Sequence, residues 1–171
     1  EVEVFWCSGA ALCIRKEVYL AVGGLDERFF AHMEEIDMCW RMRNLGWKLM
    51  VCPQAVVYHL GGGSLPMNHP RKLFLNYRNN LLMLYKNLSS AEWKKVKGFR
   101  RCLDFAAMLL FLLKGEWKNV KSVIRAYREF SGMKKLYVNA GIRRKDGCVY
   151  PGSIIFGYYF KHIRTFSQLW K

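Results

Sequence analysis

The spacing of apolar positions along the chain changes near residue 70. Before that point, short apolar runs are separated by glycine and proline, which is typical of strands and short helices packed together. After it, apolar residues recur every three or four positions, which is typical of amphipathic helices. The pattern predicts an α/β region over residues 1–69 and a helical region over residues 70–171.

Four strands and two helices are predicted in the first region. The apolar runs at 2–6, 10–14, 47–52 and 55–60 predict strands. Residues 16–22 predict a short helix closed by Gly23-Gly24, and residues 33–45 predict a longer helix that ends at Gly46.

The second region begins with a helix predicted over residues 70–88, with Pro70 at its first position. Its apolar stripe consists of Leu73, Tyr77, Leu81, Leu84 and Leu88. Ser89 and Glu92 then form a capping-box signature for a second long helix. The uncharged stretch 105–113 in that helix has roughly half of the ~20 residues that a bilayer span requires. We therefore expect it to be buried in protein or to lie in the membrane interface.

A basic amphipathic helix is predicted around residues 116–130. Its cations and its apolar residues recur separately at helical spacing: Lys118, Lys121, Arg125 and Arg128 on one side, and Trp117, Val120, Ile124 and Tyr127 on another. This pattern fits a helix at a membrane interface. It fits an ordinary surface helix with a basic face over a core equally well.

Charge divides the chain at the same place. Apolar residues make up 52% of the sequence, which excludes a disordered chain. Residues 1–69 contain 6 Lys/Arg and 8 Asp/Glu, whereas residues 70–171 contain 22 and 5. The second region is therefore expected to face an anionic membrane surface or nucleic acid. Because its aromatic residues share helical stripes with Leu and Ile, and no nucleic-acid-binding motif is present, the membrane is favoured.

Six cysteines lie among apolar neighbours without a CxxC pair, which predicts reduced, buried thiols and a cytosolic environment. The chain has no basic n-region of a signal peptide. It opens without Met in a strand-like alternation, so we expect a fragment that lacks its first part.

Three carboxylates, Glu34, Glu35 and Asp37, lie within four positions at the start of the predicted 33–45 helix. Glu34 and Asp37 share a helix face, and Asp37 can pair with Arg41 one turn later. One interpretation is a charged first turn stabilised by the helix macrodipole. The other follows from the apolar residues around them, because carboxylates in a low dielectric need a counter-ion, a metal or a proton-transfer role.

His59 lies in the predicted 55–60 strand and precedes Gly61 and Gly62, in a loop whose backbone can approach a ligand closely. A histidine beside an apolar strand is often a hydrogen-bonded core residue. Together with the acidic cluster, His59 is also a candidate metal ligand or phosphate contact.

Several motifs in a fixed order carry a resemblance to a known family. They are SGA at 8–10, GGLDERFF at 23–30, EEIDMCWR at 34–41, GW at 46–47 and YHLGGGS at 58–64. Together they resemble the C-terminal half of the catalytic domain of family 2 glycosyltransferases, including the bacterial rhamnosyltransferase-like group. The basic helices after residue 70 resemble that group's C-terminal extension, which is associated with the inner face of the cytoplasmic membrane.

The resemblance implies a GT-A (Rossmann-like) fold, a nucleotide-diphosphate sugar donor, a divalent cation such as Mg or Mn, and a saccharide or lipid-linked acceptor. In such enzymes one carboxylate of the acidic pair is the general base that activates the acceptor hydroxyl, and the anomeric configuration inverts. The family usually has Glu-Asp at this pair. Here the pair is Glu34-Glu35, so the resemblance puts the base at Glu35.

The resemblance also implies roles for the neighbouring residues. Asp37 and Arg41 would orient the helix, and His59 would reach the metal or the donor pyrophosphate. Trp6, Ser8 and Gly9 would lie near the acceptor, and Gly61 and Gly62 would line the substrate site.

The sequence has no DxD motif and no nucleotide-binding βα unit before Ser8. We therefore expect this chain to hold the base and acceptor side, to be inactive without a donor-binding half, and to lie peripherally on the cytoplasmic face of the inner membrane. Two alternatives remain: a non-catalytic membrane- or nucleic-acid-binding module derived from such an enzyme, and a partner that assists another transferase.

Overall fold

The computed structural model describes residues 1–60, 69–137, 152–165 and 168. The regular elements, in chain order, are β1 (Val2–Val4), α1 (Lys16–Ala21), α2 (Glu34–Asn44), β2 (Leu49–Val51), α3 (Pro70–Asn87), α4 (Ser90–Leu113), α5 (Trp117–Met133) and α6 (Ile154–Phe160). Single 3-10 turns lie at Glu27–Phe29 and Lys134–Leu136. The five helices predicted from the sequence are confirmed as α1 to α5.

The strands β1 and β2 form an antiparallel pair in which Val2 faces Val51 and Val4 faces Leu49. The strands predicted at 10–14 and 55–60 were wrong. Residues 9–11 form a turn in which the Ser8 carbonyl accepts from the Ala11 N–H, and residues 55–60 are exposed without strand pairing among the described residues. An apolar alternation becomes a strand only where a neighbouring strand takes its backbone hydrogen bonds.

The starts of the long helices follow local rules. Pro70 lies in the first turn of α3, where a missing N–H leaves no partner unsatisfied. The Ser89 hydroxyl accepts from the Glu92 N–H, and the Glu92 carboxylate accepts from the Ser89 N–H, so the predicted capping box is confirmed.

The main core crosses the predicted boundary at residue 70. Phe29 and Trp40 from the first region pack with Leu81 and Leu82 of α3 and Phe130 of α5, and α3 and α5 pack along most of their lengths. A second cluster lies under the β1–β2 pair and consists of Val18, Met38, Cys39, Met42 and Leu49. The acidic turn therefore lies on a helix that both cores hold.

The two long basic helices bury their apolar residues very differently. In α5, Val120, Val123, Ala126 and Phe130 are buried, whereas Trp117 and Ile124 are exposed. In α4 only Trp93 and Asp104 are buried. Its later turns expose Phe105, Leu109, Leu110 and Leu113, so the stretch 105–113 is not buried in protein within the described structure. No helix in the described ranges has both the length and the hydropathy of a membrane span.

The cysteines were predicted as reduced and buried. The five in the described residues are free thiols, but only Cys39 is buried, Cys7 is half-buried, and Cys13, Cys52 and Cys102 are exposed. The burial prediction was wrong for the last three, because apolar neighbours in sequence do not ensure burial when the segment lies at the surface.

Candidate active site

The helix α2 begins directly at the acidic pair. Its N-cap residue, Met33, has a left-handed backbone with a φ of 72° and provides no side-chain cap. Glu34 and Glu35 occupy the first turn and are both half-buried. The Oε2 atom of each is buried and has no hydrogen-bond donor among the described residues. Each carboxylate therefore has one buried oxygen that no described residue satisfies.

The surroundings of Glu34 shift the pKa of its carboxyl. Burial raises its pKa above the ordinary value, the neighbouring charge of Glu35 adds to this rise, and the backbone N–H of Glu34 and the side chain of His32 oppose it.

Asp37 is fully buried and is surrounded by donors. Its Oδ2 accepts from Arg41 Nε at 2.9 Å and from Lys86 Nζ at 2.9 Å, and its Oδ1 accepts from Asn87 Nδ2 at 2.7 Å. Arg41 also donates to the carbonyls of Val22 and Gly24. This geometry ties α2 to α3 and to the loop after α1, which fits the orienting role that the resemblance implies for Asp37 and Arg41.

Lys86 bridges two acids, because its Nζ lies 3.0 Å from Asp26 Oδ2 as well as 2.9 Å from Asp37 Oδ2. Burial alone would raise the pKa of Asp26, but the hydrogen bond and charge of Lys86 and the N–H of Arg28 outweigh it and leave that pKa lowered. Burial and the negative charge of Asp26 raise the pKa of Tyr137 to about 12. Asp26 is therefore charged and Tyr137 neutral at pH 7.

A polar pair on α3 holds the segment that leads into the acidic turn. Asn79 Nδ2 donates to the carbonyls of Phe29, Ala31 and His32 at 2.7–2.9 Å. Arg78 Nη2 donates to the carbonyl of Phe29 at 3.2 Å and to the carbonyl of Arg28 at 3.0 Å. We call these contacts the Arg78–Asn79 clamp.

The clamped segment has an unusual backbone. Phe30, His32 and Met33 all have positive φ values, of 64°, 69° and 72°. Such a conformation costs a non-glycine residue about 1–3 kcal/mol and persists only where surrounding contacts impose it. The clamp is the set of contacts that imposes it here, immediately before Glu34.

The predicted acceptor-side residues are partly brought together. A Cβ placed on Gly9 would lie 3.6 Å from Glu35 Cβ, so the backbone of Gly9 runs directly against Glu35. The Ser8 hydroxyl accepts from the Ala10 N–H and shapes this turn, and the Trp6 side chain is exposed. The structure thus joins the 8–9 turn to the acidic pair.

The remaining predicted residues are not joined to the acidic turn. His59 is exposed, and no contact between it and the three acids is found within the described ranges. Gly61 and Gly62 lie outside the described residues. Among the described residues no three His, Cys, Asp or Glu side chains are placed to hold a metal ion, so these residues alone do not form a cation site. The divalent cation and the metal role of His59 stay predictions.

Sequence reasoning missed five residues of this site: His32, Arg78, Asn79, Lys86 and Asn87. The signal for the clamp was the polar pair in NYRNN, which interrupts the buried face of α3 between Leu75 and Leu81. A buried polar pair on an otherwise apolar helix face needs partners elsewhere in the protein.

Comparison with known proteins finds sequence similarity in the first part of the chain. The family model described as "Glycosyltransferase like family 2" matches residues 1–81. N-acetylglucosaminyl-diphospho-decaprenol L-rhamnosyltransferase of Mycobacterium tuberculosis (strain CDC 1551 / Oshkosh) is 32% identical over 84 residues, which are 49% of this chain and 27% of that enzyme. Rhamnosyltransferase WbbL of Escherichia coli (strain K12) is 32% identical over 56 residues, 33% of this chain and 21% of that enzyme.

The matched part thus spans about a quarter of the length of these curated relatives. No solved structure matches. The family match ends inside α3, beyond both the acidic turn and the Arg78–Asn79 clamp. Residues 1–81 of this chain are thus similar to the family 2 glycosyltransferases, including two rhamnosyltransferases.

Proposed function

We propose that this chain forms the base and acceptor side of an inverting glycosyltransferase with a GT-A fold, which transfers a sugar from a nucleotide-diphosphate donor. One observation carries the proposal: the half-buried pair Glu34-Glu35 keeps donor-free oxygens on a turn that the rest of the protein holds rigidly. General-base catalysis requires such an oxygen within hydrogen-bond reach of the proton that it removes.

In the proposed step, Glu35 takes the proton from an acceptor hydroxyl while the hydroxyl oxygen attacks the anomeric carbon of the donor. The bond from that carbon to the diphosphate breaks, and the nucleoside diphosphate leaves with the bonding electrons. Attack opposite the leaving group inverts the configuration. Gly9 supports this assignment, since its lack of a side chain leaves space against Glu35.

The acceptor is proposed to be lipid-linked or a cell-surface saccharide. The mycobacterial relative is named for a diphospho-decaprenol-linked N-acetylglucosamine. In this chain, the exposed apolar turns of α4 and the excess of cations after residue 70 support peripheral binding to an anionic membrane, proposed here as the cytoplasmic face of the inner membrane. Each Lys or Arg near such a surface contributes about 1 kcal/mol.

The test measures nucleotide release from a panel of nucleotide sugars, with the chain joined to any sequence that its gene encodes upstream. Wild type is compared with Glu35→Gln and with the matched variant Glu34→Gln, in the presence of acceptor and Mg or Mn. We expect Glu35→Gln to lower turnover by about 10²–10⁴-fold, the contribution of a general base, and Glu34→Gln to lower it much less. Equal turnover of wild type and Glu35→Gln would contradict the assignment.

The second candidate is a non-catalytic membrane- or nucleic-acid-binding module, which the basic surface of α4 and α5 favours. It predicts no turnover of any nucleotide sugar, even when the chain is joined to any sequence that its gene encodes upstream. A preference for anionic vesicles over oligonucleotides at physiological salt would distinguish a membrane-binding module from a nucleic-acid-binding one, because binding to a phosphate backbone weakens steeply with salt.

A further inference from the structure

A cleft of about 590 Å³ lies between α3, α5 and the segment before the acidic turn. Its charged lining is strongly unbalanced, with five cations and one carboxylate: Arg28, Arg71, Arg78, Lys121, Arg125 and Glu129. The remaining wall is largely apolar and includes Phe30, Phe74 and Leu75. A concave site with excess positive charge concentrates anions.

Only some of these cations are neutralised by the protein. Glu129 accepts from Arg125 Nε at 2.9 Å and from Arg78 Nη1 at 3.4 Å, so its carboxylate serves two guanidinium groups. Arg71 and Lys121 are exposed, and neither has a carboxylate within ion-pair distance among the described residues. The Arg71 guanidinium instead lies 4.9 Å from the centre of the Phe30 ring. These two cations are left for an external anion.

The chemistry of this lining favours a phosphate-rich ligand. A guanidinium fork and an ammonium group form short, charge-assisted hydrogen bonds to phosphate oxygens, and two separate cations suit two linked phosphates better than one. The apolar wall beside them suits a hydrocarbon chain leading away from the phosphates.

We propose that this cleft binds the diphosphate group of a lipid-linked acceptor. The proposal rests on the proposed function, which it deepens by assigning the acceptor a site. The cleft and the acidic pair share one segment, because Arg28 and Phe30 line the cleft and the same run of chain continues through the clamped backbone to Glu34. Binding the diphosphate there would fix the sugar attached to it relative to the acidic turn.

The experiment measures equilibrium binding, which needs no turnover. Three probes are used: inorganic diphosphate, phosphatidylcholine vesicles containing a polyprenyl diphosphate, and phosphatidylcholine vesicles containing phosphatidylglycerol at equal surface charge. The variant is R71Q/K121Q, and the matched control is K94Q/K97Q, which removes two exposed cations of α4 outside the cleft. Thermal unfolding of all three proteins confirms that they are folded.

We expect wild type to prefer the polyprenyl diphosphate vesicles over the phosphatidylglycerol vesicles, with inorganic diphosphate competing. R71Q/K121Q should weaken binding to the diphosphate vesicles at least about tenfold, the effect of losing charge-assisted hydrogen bonds. K94Q/K97Q should keep that preference.

Three outcomes would overturn the proposal. Equal losses in the two variants would indicate surface charge alone, and equal binding to both vesicle types would exclude diphosphate recognition. Binding of inorganic diphosphate without a preference for the lipid diphosphate would indicate a soluble ligand. Diphosphate binding in the cleft without nucleotide-sugar turnover would refute the proposed function alone, whereas Glu35-dependent turnover with unchanged binding by R71Q/K121Q would refute the cleft alone.

Discussion

The three carboxylates of the acidic turn differ in how many hydrogen-bond donors the protein supplies to each. Asp37 is fully buried and accepts from three side chains, whereas Glu34 and Glu35 each keep an oxygen without a donor among the described residues. A carboxylate whose oxygens all accept hydrogen bonds stabilises the fold. A carboxylate with an oxygen that has no donor can act as a proton acceptor. The three acids thus have separate physical roles within one helical turn.

Replacing Asp37 should destabilise the protein strongly. Asp37→Ala leaves Lys86 and Arg41 without their buried counter-charge, and breaking a buried pair in this way costs about 3–5 kcal/mol. The expected value is at the lower end, because Lys86 keeps Asp26. Urea unfolding measures the change, with the exposed Glu27→Ala as control. A shift no larger than that of the control would show that the network does not stabilise the fold.

The raised pKa of Glu34 predicts a pH-dependent effect on stability. The folded protein favours the protonated carboxyl, so the charged form destabilises the fold once the pH rises above the ordinary Glu pKa. Glu34→Gln should therefore increase the free energy of unfolding at pH 7, and the gain should vanish as the pH falls below the ordinary value. Unfolding of both proteins from pH 3 to pH 8 tests this. A gain that persists at pH 3 would contradict the prediction.

The sequence identified the three acids because they are adjacent, and it identified the Asp37–Arg41 pair because helical spacing brings such residues together. It did not identify Lys86 and Asn87, which reach Asp37 from 49 and 50 positions away. Contacts across that separation depend on how α2 and α3 cross, which no local pattern specifies.

The helix α3 connects the packing of the helical region to the backbone of the acidic turn. Its buried face carries both the apolar residues of the main core and the Arg78–Asn79 clamp. The clamp supplies donors to the backbone carbonyls of Ala31 and His32, and a further donor to that of Phe29, which also accepts from the Ala31 N–H. We infer that α3 helps to position the backbone of the acidic turn.

Removing the clamp should lower both stability and turnover. Asn79→Leu deprives the carbonyls of Phe29, Ala31 and His32 of one shared donor, and an unsatisfied buried group costs about 1–3 kcal/mol. Urea unfolding and nucleotide release are the measurements. Asn80→Leu is the matched control, because Asn80 Oδ1 has no donor among the described residues. Unchanged turnover in a folded Asn79→Leu protein would show that the clamp does not position the base.

Helices were predictable from the sequence and strands were only partly so. Pro70 and the Ser89–Glu92 box act within one turn, and they placed the starts of α3 and α4 correctly. The runs at 10–14 and 55–60 have the alternation of strands but no paired neighbour in the described structure. Strand formation depends on a partner, and the apolar pattern does not reveal whether one is present.

Exposed apolar surface and positive charge occur together in the helical region. The later turns of α4 expose Phe105, Leu109, Leu110 and Leu113, and α6 exposes further aromatic and aliphatic residues. Residues 70–171 contain 22 Lys/Arg against 5 Asp/Glu. From the sequence, the helix now seen as α5 fitted a membrane interface and an ordinary surface equally well. In the structure, α5 buries much of its apolar face against α3.

Vesicle binding should therefore depend on α4. L110Q/L113Q removes two exposed leucines whose transfer from water contributes about 1.5–3 kcal/mol each, so affinity for phosphatidylglycerol-containing vesicles should fall at least tenfold while the unfolding temperature stays unchanged. Vesicle flotation measures binding. Leu20→Gln, an exposed leucine of α1, is the control. Equal binding by L110Q/L113Q and wild type would exclude this face of α4 as the contact.

The buried Asp37–Lys86–Asn87 contact has a consequence for recombination among related enzymes. An exchange of the helical region at a junction between residues 60 and 69 would join an Asp37 from one parent to a position 86 from another. Hybrids whose parents differ at position 37, 86 or 87 would then contain buried charged or polar groups that lack part of their hydrogen-bond partners, and they should fold less stably. We therefore expect viable hybrids to carry residues 26–87 from a single parent.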